Sequence, residues 1–296
     1  MLPTALMPPL QQLWAMTSSS LDLGKKHLRT QVARCSSSSS DTAGAKVSGT
    51  NAAGQVQRLV LSNQGRSKLN PASDRGFYSS PRLVTHVDDH FLASLSALYR
   101  ARIPENAEIL DLMSSWISHL PEERKYKRVV GHGLNAVELA RNSRLDHFFV
   151  KDLNAEPKLE NADCSFDAVL CAVSVQYLEQ PEKVFAEIFR VLRPGGVCIM
   201  SFSNRMFYEK AVSAWRDGSD YSRTQLVVQY FQCVAGFTQP EVIKQVLPIT
   251  SAPAEESQQQ RKGSLFAWFQ RLLQTGGGGR DPFFAVIAYR NFKPIE

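Results

Sequence analysis

Chemistry in this chain is carried by polar residues that follow apolar runs. Asp111 follows Ile109-Leu110, with Ser114 and Ser115 just beyond it, and Asp152-Leu153 follows the run at 147–150. Ser174, Gln176 and Tyr177 follow an apolar run at 168–173, and Ser203, Asn204 and Arg205 follow another at 197–202. In an open parallel sheet, ligands bind outside the carboxyl ends of strands, near the point where strand order reverses. These are therefore the residues placed to meet a ligand. Ser114 and Ser115 bring hydroxyl donors, and Tyr177 has the phenol needed to activate an oxygen nucleophile, although a tyrosine there is as often packing. His86 and His90, spaced i, i+4 with Asp89 beside them, have the geometry of half a metal site. No third ligand follows at metal spacing, so they read as a solvated helix face and no metal is expected. The five cysteines, Cys35, Cys164, Cys171, Cys198 and Cys233, lie far apart without a Cys-x-x-Cys pair. That excludes a disulfide framework and a zinc site and suits small core residues in a reducing compartment.

The elements that must position these residues are clearest over 163–200. Ala168 to Val173 is nearly all apolar, as a strand buried on both faces of a parallel sheet must be. Pro181 opens a helix whose Val184, Phe185, Ile188, Val191 and Leu192 fall at helical spacing. Pro194 and Gly195-Gly196 end it and turn the chain into a strand at 197–202. This is a βαβ unit. Further strands are expected at 107–111, 128–131, 147–150, 241–247 and 283–289. Helices are expected at 85–102, 135–141 (capped by Asn135), 206–215 and 224–235.

The Phe166-Asp167 strand start and the Leu192-Arg193-Pro194-Gly195-Gly196 turn resemble those of the class I S-adenosylmethionine-dependent methyltransferases, specifically the type 11 group. The resemblance implies an α/β fold, a Rossmann-like doubly wound seven-stranded sheet, mostly parallel with an antiparallel last strand. It implies S-adenosyl-L-methionine as cofactor, with Asp111 as the carboxylate ending strand one and Asp152-Leu153 as the pair that meets the adenine. Ser114 and Ser115 stand where the family has a glycine-rich turn and could receive the cofactor's amino-acid end; Trp116 beside them must wall the pocket or fill it. The ribose-binding acid of the family aligns with Gly133, which has no side chain to offer. Asn135 or Glu138 could partly substitute, although Glu138 reads more readily as a solvated helix residue. Ser174, Tyr177 and Asn204 are candidates for the acceptor side. No general base is named, because methyl transfer from a sulfonium can be accelerated by positioning alone. Tyr78, Arg82 and His86 could fold over the cofactor as a lid. The turn after Asp111 lacks Gly-x-Gly-x-x-Gly, which excludes a nicotinamide-dependent dehydrogenase on the same sheet.

Composition sets the surroundings. The chain has 296 residues, 43% of them hydrophobic, enough for one ordinary α/β domain with extensions. Its net charge of +6 lies almost wholly in residues 1–82, leaving the remainder near neutral, which argues against nucleic acid as a partner. Residues 1–56 are Ser-rich and acid-poor and read as an organelle transit peptide or a disordered tail, chloroplast favoured over mitochondrion. Residues 57–84 read as a connector and lid, and 85–296 as the methyltransferase-like domain, with a polar, glycine-rich insert at 251–280. Within that insert, 264–274 forms an amphipathic helix, either packed on its own domain or in peripheral membrane contact. The expected function is methyl transfer to a small-molecule acceptor by a monomer. The alternative is a plastid binding or assembly factor that has lost catalysis.

Overall fold

Alternation of side chains along each strand divides the core into two halves. The computed structural model describes residues 53–244 and 280–292. Residues 1–52, residues 245–279, where the end of the expected strand 241–247 and the expected amphipathic helix fall, and residues 293–296 lie outside that range. Seven strands form one sheet: β1 Glu108–Asp111, β2 Arg128–Gly133, β3 His147–Val150, β4 Phe166–Ala172, β5 Leu192–Phe202, β6 Glu241–Lys244 and β7 Phe284–Tyr289. Their order is β3-β2-β1-β4-β5-β7-β6. The first five are mutually parallel, and β7 runs antiparallel between β5 and β6. The expected Rossmann-like sheet with an antiparallel last strand is thus present.

Among the described residues six α-helices accompany it: α1 Asp74–Phe77, α2 Asp89–Arg102, α3 Ala136–Arg141, α4 Pro181–Val191, α5 Ser213–Arg216 and α6 Asp220–Gln232. Leu110, Val130, Val169, Cys198 and Met200 point to the face covered by α4 and α6, whereas Ile109, Val129, Leu170, Val197 and Ile199 point to the face covered by α2. Both faces are apolar, as a parallel sheet requires. Phe185 on α4 is fully buried between Tyr230 and Phe231 of α6, a burial that stabilises by roughly 2–3 kcal/mol.

The turn that ends α4 does its structural work at the amino ends of the strands. Gly195 takes φ +81, and a Cβ there would meet the Phe292 ring at 2.2 Å, so both backbone and space call for glycine. Arg193 pairs with Glu108 at the start of β1 and, at 2.8 Å, with Asp167 at the start of β4. The residues that carry the family resemblance therefore clamp three strands together.

Three helix boundaries differ from the sequence reading. α2 starts at Asp89 rather than near 85, because Asp88 caps it by accepting from the Phe91 amide at 2.8 Å and exchanges two backbone-to-carboxylate bonds with Asp281. α6 starts earlier than expected, at Asp220, capped by Ser219. The helix expected over 206–215 is a loop followed by the single turn α5. Its backbone bonds elsewhere: Ser213 N–H donates to Ser67, Ala214 to Gly65, Val212 to Gln176 and, in the opposite direction, Asn70 N–H to Glu209. Those long-range partners outcompete the local helical period.

Residues 57–84, expected as a connector, and residues 53–56, expected as the end of the leader, are woven into this unit. Gly54 and Gln57 amides bond to Ala235 and Cys233 carbonyls. The buried Glu182 of α4 accepts from the amides of Val60 and Leu61 and from both terminal nitrogens of Arg66.

Candidate functional site

A cavity of about 310 Å³ opens at the carboxyl ends of the strands, at the point where order reverses between β1 and β4. Its lining gathers Ser114 and Ser115 after β1, His132 to Asn135 at the end of β2, Lys151 to Asn154 after β3, Val173, Ser174 and Tyr177 after β4, and Arg205 to Phe207 after β5. Asp74, Tyr78, Arg82 and His86 from the amino-terminal segment close it, and Glu138 reaches in from α3. The structure thus brings together Ser114, Ser115, Asn135, Asp152, Leu153, Ser174 and Tyr177. It leaves four of the sequence-derived candidates off the wall, among them the buried Gln176 and Ser203. Asn204 is exposed and does not line the cavity. Asp111 lies one layer beneath, buried, where its Oδ2 accepts from Ser114 Oγ at 2.6 Å.

The loop after β1 solves the absence of glycine through a histidine. Met113 adopts φ +56, the left-handed region that glycine normally occupies. His132, buried at the end of β2, holds it there: its Nδ1 accepts from the Met113 amide at 3.1 Å, and its Nε2 donates to the Lys151 carbonyl at 2.9 Å. An acceptor at Nδ1 and a proton at Nε2 define the neutral tautomer. Burial keeps it so, pushing the imidazole pKa down to about 4. Burial acts oppositely on Asp111, pushed up to about 6 despite hydrogen bonds from Ser114 and Ser118. Val173, closing β4, is a second residue in the left-handed region at φ +51, unusual for a β-branched side chain and fixed by its amide bond to the Ser201 carbonyl.

Gly133 has a steric reason. A Cβ there would stand 2.5 Å from the Ser114 carbonyl oxygen, because the Ser114 amide is drawn onto the His132 carbonyl at 2.6 Å. No carboxylate can occupy that position. The one that comes close is Glu138, and here the sequence reading is corrected: Glu138 is buried, not solvated. Its Oε2 accepts from Ser115 Oγ at 2.6 Å and its Oε1 from the Arg82 amide at 2.7 Å. The signal was present as Asn135-x-x-Glu138 at a helix start, a capping-box spacing whose acid turns to other partners here.

Asn135 is fully engaged. Its Oδ1 caps α3 through Val137 and Glu138 amides, and its Nδ2 donates to the Tyr78 and Ser79 carbonyls, tying the amino-terminal segment down. Asp152 Oδ1 accepts from the Asn154 amide at 2.9 Å, which fixes the β3 loop and leaves its second oxygen without a protein hydrogen bond among the described residues. Tyr177 is a packing and anchoring residue: its hydroxyl accepts from the Phe207 amide at 2.9 Å, and burial pushes its pKa up to about 12. Ser174 Oγ donates to the Ala172 carbonyl at 2.8 Å. Trp116 neither walls nor fills the cavity; its indole donates to the Val84 carbonyl. His86 and His90 separate, His86 lining the cavity 5.3 Å from the Phe207 ring. Among the described residues no three His, Cys, Asp or Glu side chains converge on a metal position.

Residues 115–200 match the family model described as a methyltransferase domain. A malonyl-[acyl-carrier protein] O-methyltransferase of Hahella chejuensis is 31% identical over 114 residues, which is 36% of this chain and 40% of the relative's length. Among solved structures, an S-adenosylmethionine-dependent methyltransferase from Mesorhizobium loti is 17% identical, covering 66% of this chain and 96% of its own, with TM-score 0.39. Phosphoethanolamine N-methyltransferase 2 of Haemonchus contortus, in complex with S-adenosyl-L-methionine, is 17% identical, covering 68% and 52%, with TM-score 0.41. Likenesses that low carry no reading of function. The family match at 115–200 falls on this sheet and this strand order and supports a class I S-adenosylmethionine-dependent methyltransferase domain of the type 11 group in that part of the chain.

Proposed function

We propose that this protein transfers the methyl group of S-adenosyl-L-methionine to a small-molecule acceptor. The observation that carries the reading is the cavity at the strand-order switch point, where Asp152-Leu153, Ser114 and Glu138 converge on one volume. In this reading the free oxygen of Asp152 and the Leu153 backbone meet the adenine. Glu138 stands in for the acid that Gly133 cannot supply, and Ser114, seated on Asp111, faces the amino-acid end. The chain's own contribution to the chemistry is then to hold the sulfonium and the acceptor in line and exclude water, with no side chain required as base. The acceptor of the Hahella relative belongs to that protein, since the match spans less than half of its length.

Titration by calorimetry with S-adenosylmethionine and S-adenosylhomocysteine tests this. We expect saturable binding that Asp152→Ala weakens about tenfold or more, the scale of one hydrogen bond to a charged group. Absence of heat at millimolar ligand would refute it. A binding or assembly factor without catalysis is the second reading, favoured by the crowding between Gly133 and Ser114; methyl turnover with a chloroplast extract would remove it. The Ser-rich, acid-poor leader supports a chloroplast location, with mitochondrion the alternative. A monomer, and membrane contact through 264–274, complete the proposal; among the described residues no helix is long and apolar enough to cross a membrane.

A further inference from the structure

Arg82 is the one cavity-lining cation whose guanidinium has no carboxylate within ion-pair distance among the described residues. Lys151 pairs with Glu156 at 3.0 Å and Arg205 with Asp281 at 2.6 Å. The carboxylate of Asp74 is already neutralised by the buried Lys68 and Lys210. Arg82 Nη2 reaches only the Phe77 carbonyl, at 3.2 Å, and its Nη1 is buried with no hydrogen-bond partner among the described residues. A buried guanidinium donor left open is costly, because desolvation is not offset by a bond. What holds it there is aromatic: its central carbon lies 4.0 Å from the Phe77 centroid, 4.7 Å from Phe207 and 5.5 Å from Tyr78. Phe207 follows β5, whereas the proposed adenine and ribose contacts follow β3 and lie around the end of β2, on the other side of the switch point. Around Phe207 the cavity is walled by rings, Tyr78, His86 and Tyr177, with ring centroids 6.1, 5.3 and 6.1 Å from its own.

We propose that this end of the cavity is the acceptor subsite and that it recognises a small aromatic monoanion, its carboxylate paired with the Arg82 guanidinium and its flat body among Tyr78, His86 and Phe207. Of the cavity-lining cations Arg82 alone is not already ion-paired among the described residues, and a planar guanidinium matches a carboxylate. The proposal rests on the methyltransferase reading for the word acceptor, but the anion subsite itself stands on Arg82 and its rings.

The test titrates the full chain, saturated with S-adenosylhomocysteine, with benzoate, its neutral isostere benzamide, and inorganic phosphate. The expected result is benzoate binding at least about tenfold tighter than benzamide, the scale of a charge-assisted pair. Arg82→Gln should abolish that preference while S-adenosylmethionine affinity stays within about twofold, and Arg82→Lys should restore part of it by returning the charge without the fork. Unchanged melting temperatures show that both variants fold; if Arg82→Gln does not, Arg82→Lys alone must show a reduced preference. Equal binding of benzoate and benzamide overturns the proposal, as does phosphate binding tighter than benzoate. A fall in cofactor affinity matching the loss of benzoate also overturns it, because Arg82 would then serve the cofactor's own carboxylate. Should S-adenosylmethionine itself fail to bind, the methyltransferase reading falls, and benzoate against benzamide on the free protein still decides the anion subsite.

Discussion

Burial acts on Asp111 and His132 in opposite senses, and the two lie on either side of one loop. Asp111, pushed up to about 6 from 3.8, favours its protonated form in the folded state. Its contribution to stability is full below its unfolded pKa and is lost as pH rises through about 6. His132, pushed down to about 4 from 6.5, favours its neutral form. Its contribution is full above 6.5 and is lost as pH falls through about 4. Each shift is worth on the order of 3 kcal/mol, so in the window from about 4 to 6 they offset one another. His119, also lowered to about 4 by burial, adds to the histidine side. Asp111→Asn keeps an oxygen for Ser114 but removes the titration, leaving the histidines unopposed. We expect its urea midpoint to match or exceed the parent's at pH 7.5 and to fall more steeply between pH 6.5 and 4. Parallel pH profiles for the two proteins would show that Asp111 titrates normally.

At the scale of elements, one carboxylate is a principal polar anchor of the amino-terminal segment. Glu182 of α4 collects two amides and the Arg66 guanidinium, with side-chain exposures of 2% and 19%. Glu182→Ala leaves the partly buried Arg66 guanidinium only the Glu179 and Leu61 carbonyls, a class of change that costs up to about 3–5 kcal/mol. The expected signature is early tryptic cleavage at Arg58 and Arg66 with the sheet still folded; Glu182→Gln, which keeps the shape, should be milder. Limited proteolysis followed by mass spectrometry distinguishes this from global unfolding. The same segment shows where sequence reading stopped. α4 was legible because Pro181 and the 3.6-residue spacing of Val184, Phe185 and Ile188 are local, and β4 because an apolar run has few other uses. The helix over 206–215 was misread because its backbone partners, Gly65 and Ser67, are about 150 residues away in sequence. In the candidate site, Ser114 and Asp152 could be placed from strand ends. Glu138 and His132 could not, since what makes them matter is Arg82, Ser115 and Met113 arriving from other segments.

The whole molecule separates the two ends of its sheet. The carboxyl ends of β1 to β5 carry the cavity, and the amino ends carry the clamp of Arg193 on Glu108 and Asp167, with the Glu108 amide also donating to Asp167 at 2.8 Å. This clamp is the motif by which the domain is recognised, yet it lies a full strand length from the cavity, and the near-neutral body after residue 82 gives it no long-range field to exert. Its influence on binding must therefore pass through strand register, and β1, β4 and β5 are already fixed by their ladders and by the buried layers on both faces. Arg193→Ala leaves two carboxylates facing each other at a half-exposed site. Neighbouring Lys127 and Arg128 can still pair with Glu108, at 3.6 and 3.3 Å, which limits the loss to about 1–2 kcal/mol. The expected outcome is a lower melting temperature with S-adenosylmethionine affinity unchanged within about twofold, measured on the same preparation. An affinity loss as large as that of Asp152→Ala would mean that the register of β1 and β4 is set by the clamp rather than by the ladders, and that the two ends of the sheet are coupled.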